Sequence, residues 1–176
     1  METINKKIRV FHNFISDEEC DKRSKELKKL YAKNKLAPWK EIRQALIIEK
    51  PKKTQKKFIK SCSDKAIKSI KKEYNYSKPL NFWGGDLTLW EDGTAAGAHF
   101  DNTDDKLELN SLNIVYSSVL YLNDDYEGGE LYFPNFNWSI KPQKGDYIVF
   151  ETKDVLHGIK KVYNGKRCTL PMWFEK

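Results

Sequence analysis

All nine glycines of this 176-residue chain fall between Gly84 and Gly165, an asymmetry that confines tight turns to the second half of the molecule. The stretches among them, DLTLW, NIVYSSVLYL, ELYFP, WSIKP, DYIVF and RCTLPMWF, are short and rich in β-branched and aromatic residues. They are bounded by the turn signals EDG, YEGG, QKG and YNGK. Short strands at that spacing point to a β-sandwich or barrel.

The first 80 residues follow a different period. IRVFHNF predicts an edge strand, and Ser16 followed by Glu19 makes a capping-box pattern. Cys20, Leu27, Leu30 and Tyr31 then continue an apolar helical face. A second helix is predicted from about Thr54 to Tyr74, where Phe58, Cys62, Ala66, Ile70 and Tyr74 recur every fourth residue and lysines fill the outer face. Between the helices, PWKEIRQALIIEKPKK has room for one strand and a basic loop. The lysine cluster EKPKKTQKK reads as a flap over an active site or a solvated loop. No repeat or low-complexity linker divides the chain, so residues 1–176 are expected to form one domain, with helices in 1–80 supporting a β core in 81–176.

Charge divides at the same place. Residues 1–80 carry 23 Lys+Arg against 10 Asp+Glu, and residues 81–176 carry 9 against 15. Solvated lysines on helix faces are the commoner source of such an excess, ahead of a nucleic-acid partner. Cys20, Cys62 and Cys168 are odd in number and lack a Cys-x-x-Cys spacing, which suits a reducing compartment. The N-terminus METINKKIRV has no signal-peptide core, and no run of about 18 apolar residues occurs. The expectation is a cytoplasmic protein with no membrane partner.

Histidine is scarce, with only His12, His99 and His157. In a strand, positions i and i+2 share a face, so His99 and Asp101 can approach one metal ion together. His157, 56 residues beyond Asp101, can supply a third ligand from a neighbouring strand. Two imidazoles and one carboxylate on a single face leave the opposite positions open, the arrangement of non-haem iron(II) oxygenases. Arg167, ten residues after His157, would bring a fixed cation into the same barrel for bidentate carboxylate binding.

On four blocks in order, LWEDGTAAGAHFDN, SSVLYLNDDYEGGELYF, IKPQKGDYIVF and LHGIKKVYNGKRCTL, the chain resembles the iron(II)- and 2-oxoglutarate-dependent oxygenases of the prolyl 4-hydroxylase-like branch. The resemblance implies a mainly β fold with supporting N-terminal helices, a double-stranded β-helix (jelly roll, cupin-like). It implies iron(II) on His99, Asp101 and His157, and the distal carboxylate of 2-oxoglutarate on Arg167 with help from Tyr121. It also implies dioxygen as oxidant, ascorbate as an accessory reductant, and release of succinate and carbon dioxide. If Tyr121 faces inward, Ser117 and Val119 do too, flooring the site. Trp173 matches an aromatic that lines such pockets, and Trp90 stands where a tyrosine is frequent. Ala96 and Ile114 replace a tyrosine and an arginine common in peptidyl-prolyl hydroxylases, a departure confined to the substrate side.

The leading expectation is hydroxylation of a prolyl residue in a peptide or protein. Hydroxylation of a free amino acid or other small molecule stands beside it, with nucleic-acid demethylation and a noncatalytic metal-binding jelly roll ranked lower. Lesser features have plainer readings. His12 is expected to be structural, Cys20 and Cys62 small hydrophobes on helix faces, and Cys168 turned away from the cosubstrate. YEGGE should form a tight bend, and the pairs Asp104/Asp105 and Asp124/Asp125 solvated loop carboxylates.

Overall fold

The structure is a computed structural model that describes residues 1–39, 44–101 and 113–176; the Asp104/Asp105 pair lies outside them. In chain order its elements are β1 (Glu2–Asn5), β2 (Ile8–Phe11), α1 (Asp17–Tyr31), β3 (Ala37–Pro38), β4 (Ala45–Ile47), α2 (Lys53–Glu73), β5 (Asn81–Gly85), β6 (Thr88–Trp90) and β7 (Ala96–His99). There follow β8 (Ile114–Tyr121), β9 (Glu127–Gly128), β10 (Leu131–Phe133), β11 (Trp138–Ile140), β12 (Tyr147–Glu151), β13 (His157–Ile159), β14 (Val162–Tyr163) and β15 (Arg167–Glu175).

Nine strands form the larger sheet, in the order β1-β2-β12-β8-β15-β6-β4-β3, with β5 also paired to β15. The smaller sheet runs β11-β10-β13-β7, and β9 pairs with β14. The two main sheets face each other across Ile8, Val10, Tyr121, Leu131, Phe133, Ile148, Phe150 and Val155, which is the jelly roll the resemblance implies. Both helices lie on the outside of the larger sheet. Leu27, Phe58, Cys62, Ala66 and Ile70 meet Leu120, Tyr147, Val149, Cys168, Leu170 and Phe174 there. The Leu, Ile, Val and Phe side chains among them each contribute about 1.5–3 kcal/mol relative to exposure.

β15 is the hinge between core and chemistry. Cys168, Leu170, Met172 and Phe174 enter the helix-side core, while Arg167, Thr169, Pro171 and Trp173 line the cleft between the sheets. A proline in a central strand ordinarily breaks the ladder. Here β6 pairs with Arg167–Thr169 and β5 takes over at Met172, so Pro171 falls where neighbours change.

Several local expectations are corrected. IRVFHNF does not form an edge strand: β2 lies between β12 and β1, and the polar β1 takes the edge. Ser16 Oγ caps α1 by accepting from the Glu19 amide at 3.3 Å, but the Glu19 carboxylate is drawn to Arg23 at 3.3 Å, so only that half of the capping box matches the pattern. Arg23, 6% exposed, belongs to the buried face of α1, held by Glu19 and Glu26 and stacked on Phe58. The segment before α2 forms a hairpin, β3 with β4, rather than one strand. EKPKKTQKK is no flap, since Lys53, Lys56 and Lys57 lie in the first turns of α2.

Candidate active site

β7 and β13 are antiparallel neighbours whose register sets His157 directly opposite His99. Their ring centroids lie 4.4 Å apart with planes at 51°. Asp101 reaches them differently from the strand reading: β7 ends at His99, and Asp101 stands in the turn beyond it. Its Oδ1 is 3.4 Å from His99 Nε2 and its Oδ2 is 3.6 Å from His157 Nε2. One ligand atom from each residue lies within 4.8 Å of the other two.

The backbone fixes which nitrogens are available. His99 Nδ1 is 2.9 Å from the Gly97 carbonyl and His157 Nδ1 is 3.3 Å from the Val155 carbonyl. A carbonyl only accepts, so each Nδ1 carries a proton, which leaves Nε2 as the nitrogen that would ligate a metal. Two imidazoles and one carboxylate form a donor set that suits a divalent first-row metal, and all three side chains line the same cleft.

Arg167 enters from the opposite side and is only 1% exposed. Its Nη2 donates to the Tyr121 hydroxyl at 3.1 Å, and the guanidinium lies 4.9 Å from the Tyr121 ring and 5.6 Å from the Trp90 ring. Burial pushes the Tyr121 phenol up from its ordinary value, and Arg167 opposes that shift. The Arg167 Nε is buried without a hydrogen-bond partner, and among the described residues no carboxylate forms an ion pair with the guanidinium. A buried charge so poorly compensated costs several kcal/mol. The Ser117 hydroxyl is likewise buried without a partner, and the Tyr126 hydroxyl is buried beside Arg167. An anionic ligand with several acceptor oxygens, such as a dicarboxylate, would accept from these buried donors, so the residues present fit both the metal and the cosubstrate the sequence suggests.

The approach to Arg167 depends on Gly129, which has φ +65°. A Cβ there would stand 2.8 Å from Tyr126 Cε2 and 3.2 Å from Arg167 Cδ.

The other cleft wall is aromatic. Trp173 Nε1 donates to Asp101 Oδ2 at 2.9 Å, so this residue orients a candidate metal ligand as well as lining the cleft. Trp90 and Ser117 also line it, and Val119 shares their side of the sheet. Trp39, whose ring lies 5.7 Å from Trp173, joins them and escapes the sequence reading. Its only local signal is an aromatic next to Pro38. Cys168 points into the helix-side core, and burial pushes its thiol up to about 12. His12 stands apart from the triad, bonded to Asp146 at 2.8 Å and Glu2 at 3.2 Å. Asp125 is paired with Lys28 at 2.7 Å, and Asp124 accepts from the Lys144 amide.

Among solved structures, the fold is similar to the viral collagen prolyl hydroxylase vCPH from Paramecium Bursaria Chlorella virus-1. That match has a TM-score of 0.73 and 22% identity, and it covers 95% of this chain and 94% of that one. It is also similar to a prolyl hydroxylase from Trichoplax adhaerens in complex with a hypoxia inducible factor oxygen degradation domain peptide fragment. There the TM-score is 0.71 and the identity 18%, covering 97% of this chain and 84% of that one. In sequence, 65 residues are 45% identical to human prolyl 3-hydroxylase 2, over 34% of this chain and 9% of that much longer protein. The model of the 2OG-Fe(II) oxygenase superfamily matches residues 85–175, the stretch that carries the two histidines, the aspartate and the buried arginine. The chain therefore belongs to the 2OG-Fe(II) oxygenase superfamily.

Proposed function

We propose that this protein is a 2-oxoglutarate-dependent dioxygenase that hydroxylates a prolyl residue of a peptide or protein. His99, Asp101 and His157 hold the iron, and Arg167 with Tyr121 anchors the distal carboxylate of 2-oxoglutarate. The observation that carries the reading is the convergence of three ligand atoms within 4.8 Å in a cleft that also holds a buried guanidinium with no carboxylate partner among the described residues. Iron and 2-oxoglutarate supply the oxidising chemistry when bound, with dioxygen consumed and succinate and carbon dioxide released. The chain's own residues bind and orient. The Gly97 and Val155 carbonyls fix the two imidazoles, Trp173 fixes the carboxylate, and Leu131, Phe150 and Ile159 keep that part of the cleft apolar. The prolyl substrate is supported by the prolyl hydroxylases among the structural and sequence relatives. The free cysteines Cys20, Cys62 and Cys168 are in keeping with a reducing compartment such as the cytoplasm.

Anaerobic reconstitution with iron(II), then 2-oxoglutarate and oxygen with ascorbate to keep the iron ferrous, should yield succinate even before a substrate is found. Proline-containing peptides should raise the yield and gain one oxygen by mass spectrometry. Asp101→Ala should abolish turnover, and Arg167→Ala should raise the 2-oxoglutarate concentration required. Absence of succinate under all these conditions overturns the proposal. Oxygen gain by free proline alone would move the substrate to the small-molecule class.

A further inference from the structure

We propose that Trp83 is a substrate-recognition residue, its exposed indole receiving a residue that flanks the one entering the cleft in an extended, proline-rich polypeptide. The proposal rests on the prolyl-hydroxylase reading above and extends it beyond the cleft.

Three observations converge. Trp83 is 36% exposed, and among the described residues the large apolar side chains left exposed are Met1, Trp83 and Tyr163. Part of Trp83 reaches solvent at a place the sheet fixes, which leaves an apolar face open to a ligand. Its position is built by the fold. β15 pairs Trp173 with Gly84 and Phe174 with Phe82, so Trp83 is the extra residue of a bulge on β5. Bulges bend a strand and re-aim one side chain. This one brings the Trp83 ring edge-on to Trp173, at 6.3 Å and 88°, and Trp173 is the ring whose Nε1 holds Asp101. A run of indoles therefore leads from the candidate metal ligand to the surface.

The third observation concerns reach. Trp39 and Trp173 line the cleft, whereas Trp83 does not. A ligand contained in the cleft ends before Trp83, but a chain whose reacting residue sits at the triad can pass over it. The next residue, Gly84, leaves room for that chain, since a Cβ there would meet nothing within 4 Å. Aromatic surfaces of this kind suit proline-rich segments, which are already extended and lose little conformational freedom on docking. Indole also offers a flat apolar face without a charge to be satisfied.

The test uses the full chain loaded with manganese(II) and 2-oxoglutarate, which binds without turning over. It is titrated calorimetrically with poly-L-proline and, separately, with free L-proline. Poly-L-proline should bind the native protein, Trp83→Ala should weaken it about tenfold and Trp83→Phe by less, while free L-proline affinity changes little. Circular dichroism melts check that each variant is folded, and Trp83→Gln serves if Trp83→Ala is not. Equal poly-L-proline affinity in the native and variant proteins overturns the proposal, as does failure of the native protein to bind it. Succinate release by the native enzyme separates the two claims. If succinate forms but the Trp83 variants bind normally, only this inference falls; if none forms, the functional reading falls with it.

Discussion

Trp173 joins packing to chemistry within one side chain. Its ring closes the aromatic wall, and its Nε1–H occupies one lone pair of Asp101 Oδ2 at 2.9 Å. Trp173→Phe keeps most of the ring and removes the donor. Losing such an orienting bond typically costs about 10–100-fold in metal affinity. The expected outcome is weaker iron(II) or manganese(II) binding in a chelator competition with a nearly unchanged melting temperature; unchanged affinity would reduce Trp173 to packing. Residue-scale roles were unevenly legible in the sequence. The spacing of His99, Asp101 and His157 carries its own chemical meaning, and Arg167 stands out as the one cation in a mostly apolar strand. The donor role of Trp173 was not legible, because nothing local says that a residue 72 positions away will meet Asp101. Trp39 was hidden because β3 is two residues long and exists only through its pairing with β4.

At the scale of elements, the β9 bend and the β2–β12 pair each carry a prediction. Gly129 follows β9 with φ +65°, against Tyr126 and Arg167. Gly129→Ala should destabilise by about 1–2 kcal/mol from backbone strain alone. By crowding Arg167 it should also raise the 2-oxoglutarate requirement. A denaturation curve and a cosubstrate titration check the two effects. His12, just after β2, is bound chiefly through the Asp146 carboxylate, which raises its pKa above the usual 6.5, with Glu2 adding to the shift. A raised folded value means the protonated form stabilises the fold. That contribution is fully present below the unfolded pKa and is lost as pH rises through the folded one. The melting-temperature gap between native protein and His12→Gln should be widest below pH 6.5 and close as pH rises through the higher folded-state value, and a gap that widens with rising pH would reverse the assignment. The longer elements were readable because their periods persist: every fourth residue along α2, every second along β8 and β15. β1 was not, since ETIN has no alternation and pairs only because β2 presents an edge.

For the molecule as a whole, the two halves are mutually dependent. The first 80 residues supply both helices and also β1 to β4, so they complete the larger sheet as well as covering it. We therefore read the chain as one catalytic unit. A fragment of residues 81–176 would expose the helix-side core and leave β12 and β6 without β2 and β4. It should show no cooperative thermal transition by circular dichroism; a sharp transition would mean the β core folds alone.

The alternation along β15 has a consequence for inherited variation. From Arg167 to Phe174, changes at even-numbered positions should act first on how much folded enzyme a cell contains, and changes at odd-numbered positions on what each molecule accomplishes. Abundance and specific activity, scored separately across that segment, should segregate by parity.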